Sequence, residues 1–272
     1  MTTPAANPVP AANVTPAIEV RDLVIGYGSR VVLKDLNFRI EPGQIVTILG
    51  GSGCGKSTLL KHIIGLYRPL SGDILINGRS IVNADEQEKR SIMSEFGVAY
   101  QGGALFRSLN LVENIALPME ELTNWKRDEI KKRVSEKLAL VHLNGFEHYM
   151  PSDLSGGMIK RAAFARALAL DPKLLFFDEP SAGLDPLTSD MLDNVILEIR
   201  EKTHATIMMV THELPSIFRV SDRVIMLSAE KKGIVDDGSP AHLRDNSADE
   251  YVRTFLSRGG TYKSNSTEPD HA

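Results

Sequence analysis

The sequence predicts an α/β fold: a parallel sheet with crossover helices, faced by an antiparallel β layer and interrupted by an inserted helical lobe. Three observations carry this prediction. Short apolar runs at 44–49, 174–177 and 205–210 have the length and texture of buried strands. A helical stretch follows the first run from Lys56 to Leu66, and another, Pro186 to Lys202, separates the other two, which implies parallel pairing with crossovers. Near the start, Ile18-Glu-Val20 and Leu36-Asn-Phe38-Arg-Ile40 alternate apolar with polar residues, and Gly26-Tyr27-Gly28-Ser29 between them is turn chemistry.

The remaining elements follow in order. Ser71 to Gly78 reads as a short strand closed by a turn, after a helix stopped by Gly65 and Pro69. Beyond Gln101 the texture changes. Lys126 to Leu143 places Ile130, Val134, Leu138 and Val141 on one helical face, with Asp128–Lys132 and Glu129–Arg133 as i,i+4 pairs. From Ser155 the pattern is helical to about Leu170. The expected organisation is a leader at 1–16, a catalytic domain at 17–245 with the helical lobe inserted at about 102–166, an extension at 246–258 and a polar tail at 259–272.

Composition narrows the function classes. The 272 residues are 42% hydrophobic and 24% charged, ordinary values for a globular protein. A net charge of −4 gives no basic excess, so no nucleic-acid partner is expected. The single cysteine, Cys54, excludes an internal disulfide and points to a reducing compartment. The first 16 residues lack a basic start and an apolar stretch, so they are read as a disordered leader rather than a secretory signal. No apolar run reaches the roughly 18 residues of a membrane span, so membrane association is expected through a partner.

Gly50-Gly51-Ser52-Gly53-Cys54-Gly55-Lys56-Ser57-Thr58 matches the Walker A pattern G-x-x-x-x-G-K-S/T, the phosphate loop of P-loop NTPases. Glycines let main-chain N–H groups approach phosphate oxygens, and the following helix turns its positive end toward the same anion. Lys56 supplies a point charge for the β- and γ-phosphates, and the Ser57 hydroxyl is a hard ligand for Mg²⁺. Cys54 occupies a free position and reads as a small packing residue.

The run Leu174-Leu-Phe-Phe177 ends in Asp178-Glu179. A buried strand stopping there delivers Asp178 to the carboxyl end of the sheet, beside the phosphate loop, to hold Mg²⁺. Glu179 is the candidate general base for the attacking water. Further along the chain from the phosphate loop, Leu154-Ser155-Gly156-Gly157-Met158 offers an N-cap serine and free N–H groups at a second helix start. One nucleotide does not need two phosphate-cradling helix ends. Two copies of the chain packed head to tail would use both.

These residues together resemble the ATP-binding subunits of ABC transporters. Leu154-Ser155-Gly156-Gly157 resembles the ABC signature, Tyr27 the aromatic that stacks on adenine, Gln101 the Q-loop glutamine, Ser181-Ala182-Gly183-Leu184-Asp185 the D-loop and His212 the switch histidine. The resemblance implies a RecA-like sheet core and a homodimer that sandwiches two ATP. Each nucleotide would lie between the phosphate loop of one copy and Ser155-Gly156-Gly157 of the other. It further implies that His212 contacts the γ-phosphate and that Gln101 binds metal and reports nucleotide state.

Met158 after the signature, Gln101-Gly102-Gly103-Ala104-Leu105-Phe106, Val112-Glu113-Asn114-Ile115 and Tyr251-Val-Arg-Thr-Phe255-Leu look like the ATPases of Mla/Mce-type lipid transporters. That resemblance implies an MlaE-like integral membrane permease, an Mce-domain substrate-binding protein and, in some systems, a STAS-domain subunit. It implies a location on the cytoplasmic side of a bacterial inner membrane. A motor for another small-solute importer is the alternative. Leu105, Phe106, Leu109 and Leu111 are candidates for a groove that accepts a permease helix, or for core packing. Asp249 to Ser257 is a candidate docking helix across the dimer, on resemblance alone.

Overall fold

A computed structural model of the chain describes residues 15–257. The expected tail at 259–272 and residues 1–14 of the expected leader lie outside them. Strands β1 (Ile18–Tyr27) and β2 (Arg30–Ile40) form a hairpin, followed by β3 (Ile45–Gly50) and helix α1 (Lys56–Ile63). Next come β4 (Ser71–Ile76), β5 (Arg79–Ser80), α2 (Glu86–Met93) and β6 (Phe96–Ala99). Helices α3 (Leu111–Leu122), α4 (Arg127–Leu140) and α5 (Gly156–Ala167) precede β7 (Leu174–Asp178). The chain closes with α6 (Pro186–Thr203), β8 (Thr206–Val210), α7 (Leu214–Val220), β9 (Arg223–Ser228), β10 (Gly233–Gly238), α8 (Pro240–Asn246) and α9 (Glu250–Ser257).

Two sheets result. One is four-stranded and antiparallel in the order β2-β1-β4-β5. The other has the order β10-β9-β3-β8-β7-β6, in which β9 through β6 run parallel and β10 is antiparallel to β9. The parallel strands are buried on both faces, and the alternation of their side chains sorts the core into layers. Val46, Ile48, Phe176, Met208, Val210 and Leu227 point toward the antiparallel sheet and α1. Leu175, Phe177, Ile207 and Met209 point the other way, toward α5 and α6. Leu49, Val224 and Met226 meet Val252, Phe255 and Leu256 of α9.

Most sequence-based elements are observed within a few residues of their expected ends. Strands β5, β6, β9 and β10 and helices α2, α3, α7 and α8 had no sequence-based counterpart. On α4 the four apolar residues are buried as expected. Arg133 pairs with Glu129 at 3.0 Å, but Lys132 turns to Glu136 rather than Asp128. Asn114, quoted above for its family resemblance, has an evident structural task. It is fully buried and bonds the main chain of Phe106, Leu109 and Asn110, fixing the loop that enters α3. Of the four groove candidates, Leu111 is wholly buried, Leu105 and Leu109 are half-buried, and Phe106 is exposed. Leu111 therefore belongs to the core. Among the described residues, no helix is long and apolar enough to cross a membrane.

Candidate functional site

The central strand β3 ends at Gly50, where the chain must turn sharply. Its φ is 154°, and a Cβ there would lie 2.6 Å from both the Cys54 Sγ and the Leu227 carbonyl oxygen. Glycine is thus required by the crowding at the strand end. The loop then runs to α1, whose Lys56 is buried. Lys56 Nζ donates to the Gly50 and Gly51 carbonyls at 2.9 and 3.1 Å, so its charge is folded over the loop. Burial pushes the Cys54 thiol up, which keeps it protonated and makes it a packing residue.

Strand β7, separated from β3 by β8 in the parallel sheet, ends close to this loop. The Ser57 hydroxyl faces Asp178 Oδ1 at 3.4 Å. Burial raises the Asp178 carboxyl above its ordinary range, and adjacent Glu179 adds to the rise, against the pull of Ser57, Lys61 and Lys160. Ser57 and Asp178 are hard oxygen donors, and together they fit Mg²⁺ completed by phosphate oxygens.

Glu179 departs from regular strand geometry, with φ at 48°. Its N–H donates to the Val210 carbonyl at 2.8 Å, and its carboxylate meets His212 Nδ1 at 2.9–3.0 Å. His212 stands just beyond the end of β8 and is more than half exposed. Across the mouth, the Tyr27 hydroxyl reaches Thr58 Oγ1 at 3.2 Å, and Tyr67 packs edge-on against the Tyr27 ring.

These groups surround one cavity of about 820 Å³, lined by Tyr27, all residues from Gly50 to Thr58, Gln101, Glu179 and His212. Ser155, Gly156 and Gly157 are not among its lining residues. They open α5 with the Ser155 hydroxyl accepting from Met158 N–H at 3.3 Å, and Ser155 and Gly156 are exposed.

Four residues at this site had no site role in the sequence reading, where Tyr251 and Phe255 entered only through family resemblance. Phe255 lines the cavity, and the Tyr251 hydroxyl accepts from Gly51 N–H at 3.2 Å. Both come from α9, which packs on its own chain through Val252, Phe255 and Leu256. Lys160 on α5 donates to the main-chain carbonyls of Gln101 and Glu179, the latter at 3.1 Å. Arg166 on the same helix donates to Gly103 and Ala104 at 3.1 and 2.8 Å. A signal for Lys160 existed, since it shares a stripe with buried Gly157, Phe164 and Ala167. None existed for Tyr251, which meets a loop 200 positions away.

A phosphate loop between parallel strands, with an acidic strand end beside it, defines a P-loop nucleotide-binding cassette. A family profile described as "ABC transporter" matches residues 33–182. The chain is 43% identical over 240 residues to the "Probable ribonucleotide transport ATP-binding protein mkl" of Mycobacterium leprae, covering 88% of this chain and 68% of that protein. It is 37% identical over 239 residues to the "Intermembrane phospholipid transport system ATP-binding protein MlaF" of Escherichia coli, covering 88% of each. Among solved structures, the dimeric post-hydrolysis state of the ATP-binding cassette MJ0796 bound to ADP and Pi matches with a TM-score of 0.73 at 28% identity, covering 82% of this chain and 98% of that one. Cassette cbiO1 of Clostridium perfringens, part of the ABC transporter complex cbiONQ, gives 0.79 at 27% identity, covering 90% and 96%. The chain belongs to the ABC transporter family and is an ATP-binding, ATP-hydrolysing subunit of it.

Proposed function

We propose that the chain drives a lipid transporter as a head-to-tail homodimer, each ATP lying between the phosphate loop of one copy and Ser155-Gly156-Gly157 of the other. The observation that carries the dimer is the separation just described: the signature segment faces solvent and takes no part in the cavity of its own chain. The MJ0796 cassette, similar in fold, is dimeric in its post-hydrolysis state.

In this reading Tyr27 stacks on adenine, N–H groups between Ser52 and Thr58 cradle phosphate, and Lys56 leaves the Gly50 and Gly51 carbonyls to meet the β- and γ-phosphates. Ser57, Asp178 and Gln101 would hold Mg²⁺, which would supply charge neutralisation to the phosphoryl group. Glu179 orients and deprotonates the attacking water, a contribution of about 10²–10⁴-fold for general bases. His212, already bonded to that carboxylate, steadies it and reaches the γ-phosphate. The segment at about 102–166 acts as a helical lobe that is packed onto the sheet through α5. Phe106, Leu117, Pro118 and Leu122 line an apolar cleft beside it, which fits an amphipathic permease helix.

Lipid as cargo rests on the MlaF relative and on the Met158 and Gln101-Gly102-Gly103 resemblances. The same support extends to an MlaE-like permease, an Mce-domain protein, a STAS-domain subunit, and peripheral attachment at the cytoplasmic side of the inner membrane. The name of the mkl relative favours a second reading, transport of another small solute such as a ribonucleotide. Affinity purification of the full-length chain from native membranes, with mass spectrometry of partners and bound small molecules, separates the two. Recovery of an Mce-domain protein with phospholipid is the expected outcome. A solute permease with ribonucleotide and without lipid would reject the lipid reading.

A further inference from the structure

The strongest feature left unused by this scheme is the buried ammonium of Lys160. It lies in the second turn of α5 and is only 7% exposed. A buried ammonium needs acceptors, and it finds two main-chain carbonyls, Gln101 and Glu179, just beyond the ends of the adjacent strands β6 and β7. Burial pushes the Lys160 ammonium down, against the opposing pull of the Glu179 and Asp178 carboxylates.

Glu179 is the residue that most needs such support. A left-handed φ of 48° is costly for a side chain with a Cβ, and it persists only where the surroundings over-determine it. Its N–H is fixed by the Val210 carbonyl at 2.8 Å, its carbonyl by Lys160 at 3.1 Å, and its carboxylate by His212. Arg166 meanwhile holds Gly103 and Ala104, so α5 grips the 101–104 loop at three carbonyls. The fit is close: a Cβ on Gly103 would stand 2.6 Å from Ile159.

We propose that Lys160 is a positioning residue for hydrolysis, holding Glu179 in its left-handed conformation and tying that conformation to the Gln101 loop. The proposal rests on the general-base reading of Glu179. Lys160 is not among the residues that line the nucleotide cavity, so its loss lowers kcat and spares nucleotide binding. Because α5 also presents Ser155 at its first turn, the strut links the catalytic residue of one site to the signature offered to the other.

The test compares full-length Lys160→Met, Lys160→Arg and Glu179→Gln with the parent by steady-state ATPase assay, nucleotide-binding titration and thermal melting. Hydrogen bonds to a charged group predict a fall of about 10- to 100-fold in kcat for Lys160→Met, with ATP Kd within about twofold. Lys160→Arg, which restores a buried cationic donor, recovers most of that loss and guards against a fold defect in the methionine variant. Folded Lys160→Met with an unchanged kcat, or Lys160→Arg as impaired as Lys160→Met, overturns the proposal. Undiminished turnover in Glu179→Gln instead overturns the general-base reading, independently of Lys160.

Discussion

The two glycine-rich helix starts of this chain share a chemistry and differ in their surroundings. At the first, Lys56 closes over Gly50 and Gly51, Tyr251 takes the Gly51 N–H, and every residue from Gly50 to Thr58 lines the cavity. At the second, Ser155 caps α5 in isolation, and Ser155 and Gly156 lie open. Behind them the packing is tight, since a Cβ on Gly157 would sit 2.5 Å from Thr188 Cγ2. One loop is finished by its own chain. The other is a rigid edge held out for something else.

The largest effects should come from breaking that asymmetry directly. Lys56→Ala removes the phosphate-binding charge from the completed loop, so isolated chains should lose ATP affinity in a binding titration. Ser155→Arg places a large cation on the open edge and leaves the cavity untouched. It should abolish hydrolysis by about 10²-fold or more, the scale of losing one preorganised anion donor, while ATP affinity of the isolated subunit stays at the parent value. Mixed dimers should show dominant loss at one site of the pair. Loss of affinity in isolated Ser155→Arg chains would place the signature in its own pocket and defeat the sandwich.

A middle-sized effect tests the rigidity of the edge. Thr188 cannot retreat freely, because its hydroxyl is bonded to Asp185, the N-cap of α6. Gly157→Val should therefore cost about 1–3 kcal/mol of stability through overpacking, read in a denaturant melt. A variant as stable as the parent would mean that α5 and α6 can slide apart.

What the sequence made legible, and what it hid, follows the same division between local and distant contacts. The strands around Val46, Phe176 and Met208 were readable because a parallel sheet covered on both faces leaves continuous apolar runs. The phosphate loop, Asp178 and Glu179 were readable because strand, loop and helix adjoin in sequence. Strand β6 is only four residues, with Gly97 in its middle, too short for a periodic signal. Helix α3 carries Pro118 inside it, which masks a helical pattern otherwise marked by the Asn110–Glu113 capping box. The convergence of Lys160, Gln101 and Glu179 depends on the packing of α5 across the sheet end, which no local pattern encodes.

The smallest predicted effect sharpens the comparison from the C-terminal side. If the phosphate loop is finished by its own chain, α9 is part of the finish, through one hydrogen bond from Gly51 N–H to the Tyr251 hydroxyl. Tyr251→Phe deletes the hydroxyl and keeps the ring that packs at 5.9 Å from Phe255. A neutral hydrogen bond contributes about 0.5–1.5 kcal/mol net, so the ATP Kd should rise about 2- to 10-fold. The kcat should hold, because Glu179, His212 and Lys160 are untouched. Nucleotide titration with parallel turnover assays reads both quantities. An unchanged Kd would show that the loop keeps its shape without the Gly51–Tyr251 hydrogen bond.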